Sequence, residues 1–133
     1  MNVPVVRRAV PDYRPRVRTV RVARVYEEPG PDDGTRVLVD RLWPRGLRKE
    51  LARLDSWCRQ VAPSAELRIW YGHDPARFAE FAQRYRAELA DPERQAALLS
   101  LHDLDGVVTL LTATTAADIS HAAVLADVLR SMN

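Results

Sequence analysis

The residues best suited to chemistry fall in two short runs far apart in the chain. One is Asp40-Arg41, with Arg45 four residues beyond Arg41. The other is Thr112-Ala113-Thr114-Thr115, with His121 after it. Paired guanidinium groups beside hydroxyls suit a phosphate or a carboxylate, because arginine presents forked donors to an anion's oxygens. Asp40 and His121 are the residue types that exchange protons near neutral pH, which makes them the catalytic candidates for hydrolase-type acid/base work. Arg68 and His73, in a polar elbow with Tyr71 and Asp74, add a third guanidinium and a second imidazole. The ligand-binding candidates are therefore Arg41, Arg45, Arg68, His73, Thr112 and Thr114.

Each of these residues also has a plainer reading. Asp40 can cap a helix or pair with Arg41 or Arg45. His121 can be a core histidine satisfied by a backbone carbonyl. His73-Asp74 can be a capping loop, and Arg41 and Arg45 can simply pair with Asp40, Asp55 or Glu66. The sequence leaves these alternatives open. It is more decisive about what is missing. There is no GxGxxG or GxxxxGK[ST] phosphate loop, no HExxH pair and no Gly-x-Ser-x-Gly elbow. One cysteine, Cys58, excludes a thiolate cluster, and beside Trp57 it reads as a small core residue. No metal and no cofactor is expected. Trp43 and Trp70 each flank a polar cluster, and either can wall a pocket or bury against a sheet.

The elements that must position these residues can be read from apolar spacing. Residues 19–26 alternate as a strand with one buried face. Val37-Leu38-Val39 is apolar throughout and Val107–Leu111 is apolar but for Thr109, as suits central strands covered on both sides. Leu51, Leu54, Trp57, Cys58 and Val61 have helical spacing and predict a helix over 50–61. Ser64 predicts an N-cap, and Asp74-Pro75 and Asp91-Pro92 predict two helix starts. A last helix is expected from about Asp118 to Ser131, with His121 on its buried face. This order predicts an α/β domain: a small open, mostly parallel sheet in three layers, with helices on both faces. The first strand could pair antiparallel with the second, because their link is short. Ligands bind such sheets at the carboxyl ends of the strands, where the two polar runs would meet beside the last helix's free N–H groups.

Charge and length narrow the classes further. The 133 residues suit one domain, assigned to 19–133, behind a tail over 1–18. That tail holds five arginines against Asp12, a net of +4, so residues 19–133 carry −2 of the chain's +2. The tail has three prolines and no apolar period, so it is expected to be disordered. It could make a weak, salt-sensitive nucleic-acid contact. A dedicated nucleic-acid surface should involve the body too. No apolar run is long enough for a membrane span and no signal peptide is evident, so a cytoplasmic protein is expected. A three-stranded sheet is thin, which leaves monomer and homodimer both open. Whether the protein is an enzyme is also open, the alternative being a non-catalytic nucleic-acid or protein-partner accessory domain.

The run Val39-Asp40-Arg41-Leu42-Trp43-Pro44-Arg45-Gly46 resembles the YeaO-like family of small bacterial proteins, a domain family of unknown function. The likeness continues through Trp57, Ala62-Pro63-Ser64, Glu66-Leu67-Arg68, Gly72-His73-Asp74, Phe78, Phe81, Tyr85 and Leu110-Leu111 to His121 and Leu129, covering about residues 18–131. The family brings no settled reaction with it. The resemblance does mark the same polar residues as the strand-end argument: Asp40, Arg41, Arg45, Arg68, His73 and His121. One departure lies after the last strand. Related proteins often carry Ser-Ala-Lys there, and this chain has Thr112-Ala113-Thr114, so a lysine role at that loop would be absent.

Overall fold

The computed structural model describes residues 18–132. Four strands form one wholly parallel sheet in the order β1-β4-β2-β3: β1 (Arg18–Arg24), β2 (Thr35–Leu38), β3 (Ser56–Trp57) and β4 (Gly106–Thr112). Between and after them come the single helical turn α1 (Lys49–Ala52) and the helices α2 (Ala65–Tyr71), α3 (Phe78–Glu88), α4 (Pro92–His102) and α5 (His121–Ser131). The expected small open α/β sheet is what forms. Apart from Arg18, which begins β1, the expected tail lies outside the described residues.

The strands sort their side chains by parity. Val37, Val39, Val108 and Leu110 face one side and join Phe81, Tyr85, Leu125 and Leu129 from α3 and α5 in the main core. Complete burial of one such aliphatic side chain contributes about 1.5–3 kcal/mol. Leu38 and Leu111 face the other side and meet Val25, Trp43, Leu47, Leu54 and Trp57 in a smaller cluster. The long helices thus pack on one face. The second face is covered by the connections 25–34 and 39–55, the latter containing α1.

Four expectations need correcting. The sheet has four strands where three were expected, because Ser56-Trp57 adds an edge strand beside β2. The first strand does not form a hairpin with the second. β1 pairs in parallel with β4, which lies between β1 and β2. The link 25–34 crosses over β4, where the Thr109 hydroxyl donates to the Asp33 carbonyl at 2.6 Å. Gly34 permits this close approach. Its φ is +63°, and a Cβ there would lie 2.1 Å from the Val107 carbonyl oxygen. The helix expected over 50–61 is also not continuous. It stops after Ala52, Arg53 turns left-handed at φ 51°, and Ser56-Trp57 joins the sheet, with the Cys58 amide donating to Leu38 at 2.8 Å. Finally, the last helix starts at His121, after a 3-10 turn over Ala117–Ile119.

The start signals act as their chemistry dictates. The Ser64 hydroxyl accepts from the Leu67 amide and donates to Glu88, whose carboxylate also accepts from the Ser64 amide. Asp74 caps a 3-10 turn at Pro75–Arg77 that leads into α3, and Pro92 opens α4.

Candidate functional site

The chain opens a crevice at the carboxyl ends of β2 and β4 for a topological reason. After β2 it turns to the second face, where Trp43 and Leu47 pack. After β4 it turns to the first face, into α5. Neighbouring strands whose connections leave to opposite faces leave a gap at their ends, where open α/β sheets take ligands. The gap here is a cavity of about 370 Å³. Arg41, Trp43 and Arg45 border it on the β2 side, Thr114 and His121 on the β4 side, and Arg68 and His73 from α2 and the elbow after it. Of the sequence candidates, Asp40, Arg41, Arg45, Arg68, His73, Thr114 and His121 all border this one cavity. Thr112 does not. It is fully buried beneath the loop, and its hydroxyl accepts from the Thr114 amide at 3.3 Å.

Asp40 is the joint of the site. Its Oδ2 accepts from the Ala113 amide at 2.8 Å, which ties the end of β2 to the end of β4. Its carbonyl accepts from the Trp57 indole at 2.7 Å, which ties in β3. Its Oδ1 lies 3.3 Å from His121 Nε2 on α5. That nitrogen sits 3.0 Å from the Val39 carbonyl, which can only accept, so Nε2 carries a proton and directs it there. Among the described residues, Oδ1 is buried without a hydrogen-bond partner of its own. Burial works to raise the Asp40 carboxyl, but His121, the Ala113 amide and the Thr112 hydroxyl outweigh it and hold the carboxyl below its ordinary value. The His121 ring also rests edge-on against Tyr85, 6.1 Å between centroids.

The arginines behave differently. Arg41 and Arg45 are exposed, and Arg68 is half-buried. Among the described residues, none of the three has a carboxylate oxygen within 4.0 Å. The acids that could neutralise them are engaged elsewhere or lie apart. Asp40 holds Ala113, and Asp55 accepts from the Arg36 amide at 2.7 Å. Arg68 uses only Nε, toward the Pro63 carbonyl at 3.3 Å.

The remaining wall is aromatic. Tyr71 stacks on Phe81 with ring centroids 4.1 Å apart, its hydroxyl donates to Ile119 at 2.6 Å, and burial raises its pKa. Trp43 is held by its indole N–H on the Leu47 carbonyl at 2.8 Å and meets Trp57 edge-on. Trp70 is not part of the cavity and carries Arg77 and Arg84 over its ring. Ser120, overlooked in the sequence, also borders the cavity. It caps α5 by accepting from the Ala123 amide at 3.3 Å, so one of the free helix N–H groups expected there is already used. Its position directly before the helix's apolar stripe is the signal that could have revealed it. Cys58 is half-buried, and burial raises its thiol pKa, as suits a core residue. No group of three His, Cys, Asp or Glu side chains converges on a metal position among the described residues, and no described helix is long and apolar enough to cross a membrane.

Residues 19–132 match the family described as the inactive DUF488-N3 subclade. The uncharacterized protein Rv3073c of Mycobacterium tuberculosis strain H37Rv is 60% identical over 112 residues, which cover 83% of this chain and 92% of that protein. The uncharacterized protein YeaO of Escherichia coli strain K12 is 40% identical over 113 residues, 85% of this chain and 98% of that protein. No solved structure matches the chain.

Proposed function

The chain belongs to the YeaO-like family, within the DUF488-N3 group, and on that premise we propose that it binds a small anionic ligand, phosphate- or nucleotide-like, in the crevice between β2 and β4, without transforming it. The observation that carries this reading is the trio Arg41, Arg45 and Arg68, gathered round one cavity with no carboxylate partner among the described residues. Cations kept apart from acids beside a cavity keep their donors for a ligand. A volume of about 370 Å³ lies at the small end of the ligand-pocket range. Trp43, Tyr71 and Phe81 supply an apolar wall for the uncharged part of the ligand.

Binding without turnover is favoured over hydrolase-type chemistry on two grounds. The matching family is described as inactive. In addition, His121 gives its Nε2 proton to Val39, and one oxygen of the Asp40 carboxylate is taken by the Ala113 amide, so both help to fasten the strand ends. Two of the cavity's hydroxyls are committed too, with Tyr71 donating to Ile119 and Ser120 to Ala117.

The test is a calorimetric titration with inorganic phosphate and nucleoside monophosphates. The reading expects saturable binding of at least one anion, weakened tenfold or more by Arg45→Ala. Absence of binding by all of them, or unchanged affinity in Arg45→Ala and Arg68→Ala alike, overturns it.

A further inference from the structure

The charge of the body is sharply divided. Residues 41–53 hold Arg41, Arg45, Arg48, Lys49 and Arg53 against the single acid Glu50, a net of +4. Because residues 19–133 sum to −2, all the others in that range sum to −6. Elsewhere most arginines meet a carboxylate: Arg21, Arg36, Arg77, Arg84, Arg94 and Arg130 each do. All five cations of 41–53 are exposed, and among the described residues none has an acid within 4.0 Å.

The fold turns this run into a track. The segment leaves the carboxyl end of β2 at Asp40 and must return to the start of β3, which pairs in parallel with β2. It therefore travels the length of the four-residue strand β2, about 13 Å at ~3.3 Å per residue. Arg41 and Arg45 stand at the cavity, and Arg53 stands at the far end, where its carbonyl accepts from Arg36. Along the way Leu42 and Leu51 are 70% and 65% exposed. The result is an unneutralised basic strip with apolar contact points that leads into an aromatic-walled cavity.

We propose that residues 41–53 and the cavity together bind the end of a single-stranded nucleic acid, the terminal nucleotide in the cavity and the following phosphates along Arg48, Lys49 and Arg53. The proposal rests on the anion-binding reading of the cavity and extends it from a small ligand to a polymer. A polyanion is the occupant because the strip offers mainly cations and apolar side chains, and forked guanidinium groups match phosphate oxygens. A nucleic-acid end, and not an acidic polypeptide, fits the small aromatic chamber that closes one end of the strip. This surface is made of residues of the body.

The experiment compares the full chain with the full chain carrying Arg48→Gln, Lys49→Gln and Arg53→Asn, using asparagine because it tolerates the left-handed backbone at position 53. The tail is the same in both proteins, and circular dichroism checks that the variant folds. A 5′-phosphorylated oligothymidylate of about ten nucleotides and thymidine monophosphate are titrated into each. The oligomer is expected to bind the unchanged protein at least tenfold tighter than the monomer. The triple variant is expected to lose that gain while keeping its affinity for thymidine monophosphate. The dependence of log K on log salt should flatten by about 2, at ~0.7 for each phosphate no longer neutralised. If the monomer binds but the oligomer binds no tighter, or the variant matches the unchanged protein, the track is overturned and the cavity reading stands. If neither binds, both fall. If polyglutamate binds the strip more tightly than the oligomer, the partner is an acidic protein and the nucleic-acid proposal is wrong.

Discussion

The molecule has an aspartate–arginine group toward each end of its sheet, and the two are built on opposite plans. Toward the amino ends, Asp33, Arg36 and Thr109 form a closed knot on the second face. Arg36 donates to Asp33, to the Ala52 carbonyl at 3.2 Å and to the Arg53 carbonyl at 3.0 Å, and its side chain is only 8% exposed. Asp33 also accepts from the Gly30 amide at 3.0 Å, while its own carbonyl takes the Thr109 hydroxyl. At the carboxyl ends, Asp40 is fastened through one oxygen to the Ala113 amide, and its other oxygen lies 3.3 Å from the His121 imidazole. The neighbouring Arg41 and Arg45 have no acid. Arginine saturated by acceptors is a structural part, whereas arginine left without them beside a cavity has donors to spare for a ligand.

This contrast predicts separable effects. The largest belongs to the closed knot. Arg36→Ala leaves the Asp33 carboxylate and two carbonyls without their donor, and should lower stability by about 3–5 kcal/mol in urea unfolding while leaving anion affinity nearly unchanged. Asp40→Ala should come next. It leaves the Ala113 amide unpaired and releases His121, at a cost of about 1–3 kcal/mol, and it should weaken anion binding as well because the cavity wall loosens. A large loss from Arg36→Ala together with none from Asp40→Ala would break the idea that both acids are fasteners.

Acid titration tests the same pair. Asp33 is held below its ordinary value by the Gly30 amide and the Arg36 guanidinium, against the opposing effect of its burial. Asp40 is held low by His121, Ala113 and Thr112, against its own burial. With folded values below the unfolded ones, the unfolded chain takes up protons first as the pH falls. The stabilisation from both is therefore present in full above about pH 5 and is lost as the pH drops through the folded values. Urea midpoints should fall as the pH drops below about 5, and less steeply in Asp33→Asn. The smallest stability effect belongs to the open end, where Arg45→Ala should move the unfolding free energy by about 0.5 kcal/mol or less, as exposed substitutions do.

The parts of this arrangement that were legible in the sequence are those that follow from local chemistry. Val37-Leu38-Val39 and Val107–Leu111 announce central strands because both faces are apolar, and Ser64 and Pro92 announce helix starts because they satisfy or forgo end N–H groups. Two neighbouring strands were enough to gather Asp40, Arg41, Arg45, Thr114 and His121. What stayed hidden depends on distant partners. Leu51, Leu54 and Trp57 have helical spacing, yet Trp57 is claimed by Leu38 of β2, and Leu51 ends up largely exposed. The place of β4 between β1 and β2 cannot be read from any local pattern. Arg36 stands inside a strand, and nothing in its neighbours says that Asp33, Ala52 and Arg53 will close round it.

The most direct test of the contrast between the two ends is one titration read beside one melting curve, on Arg45→Ala and Arg36→Ala together with the unchanged protein. Arg45→Ala is predicted to melt with the unchanged protein and to lose at least tenfold in anion affinity, while Arg36→Ala melts far lower and, below its melting point, still binds. Arg45→Ala melting like a core variant, or binding the anion as well as the unchanged protein does, would contradict it.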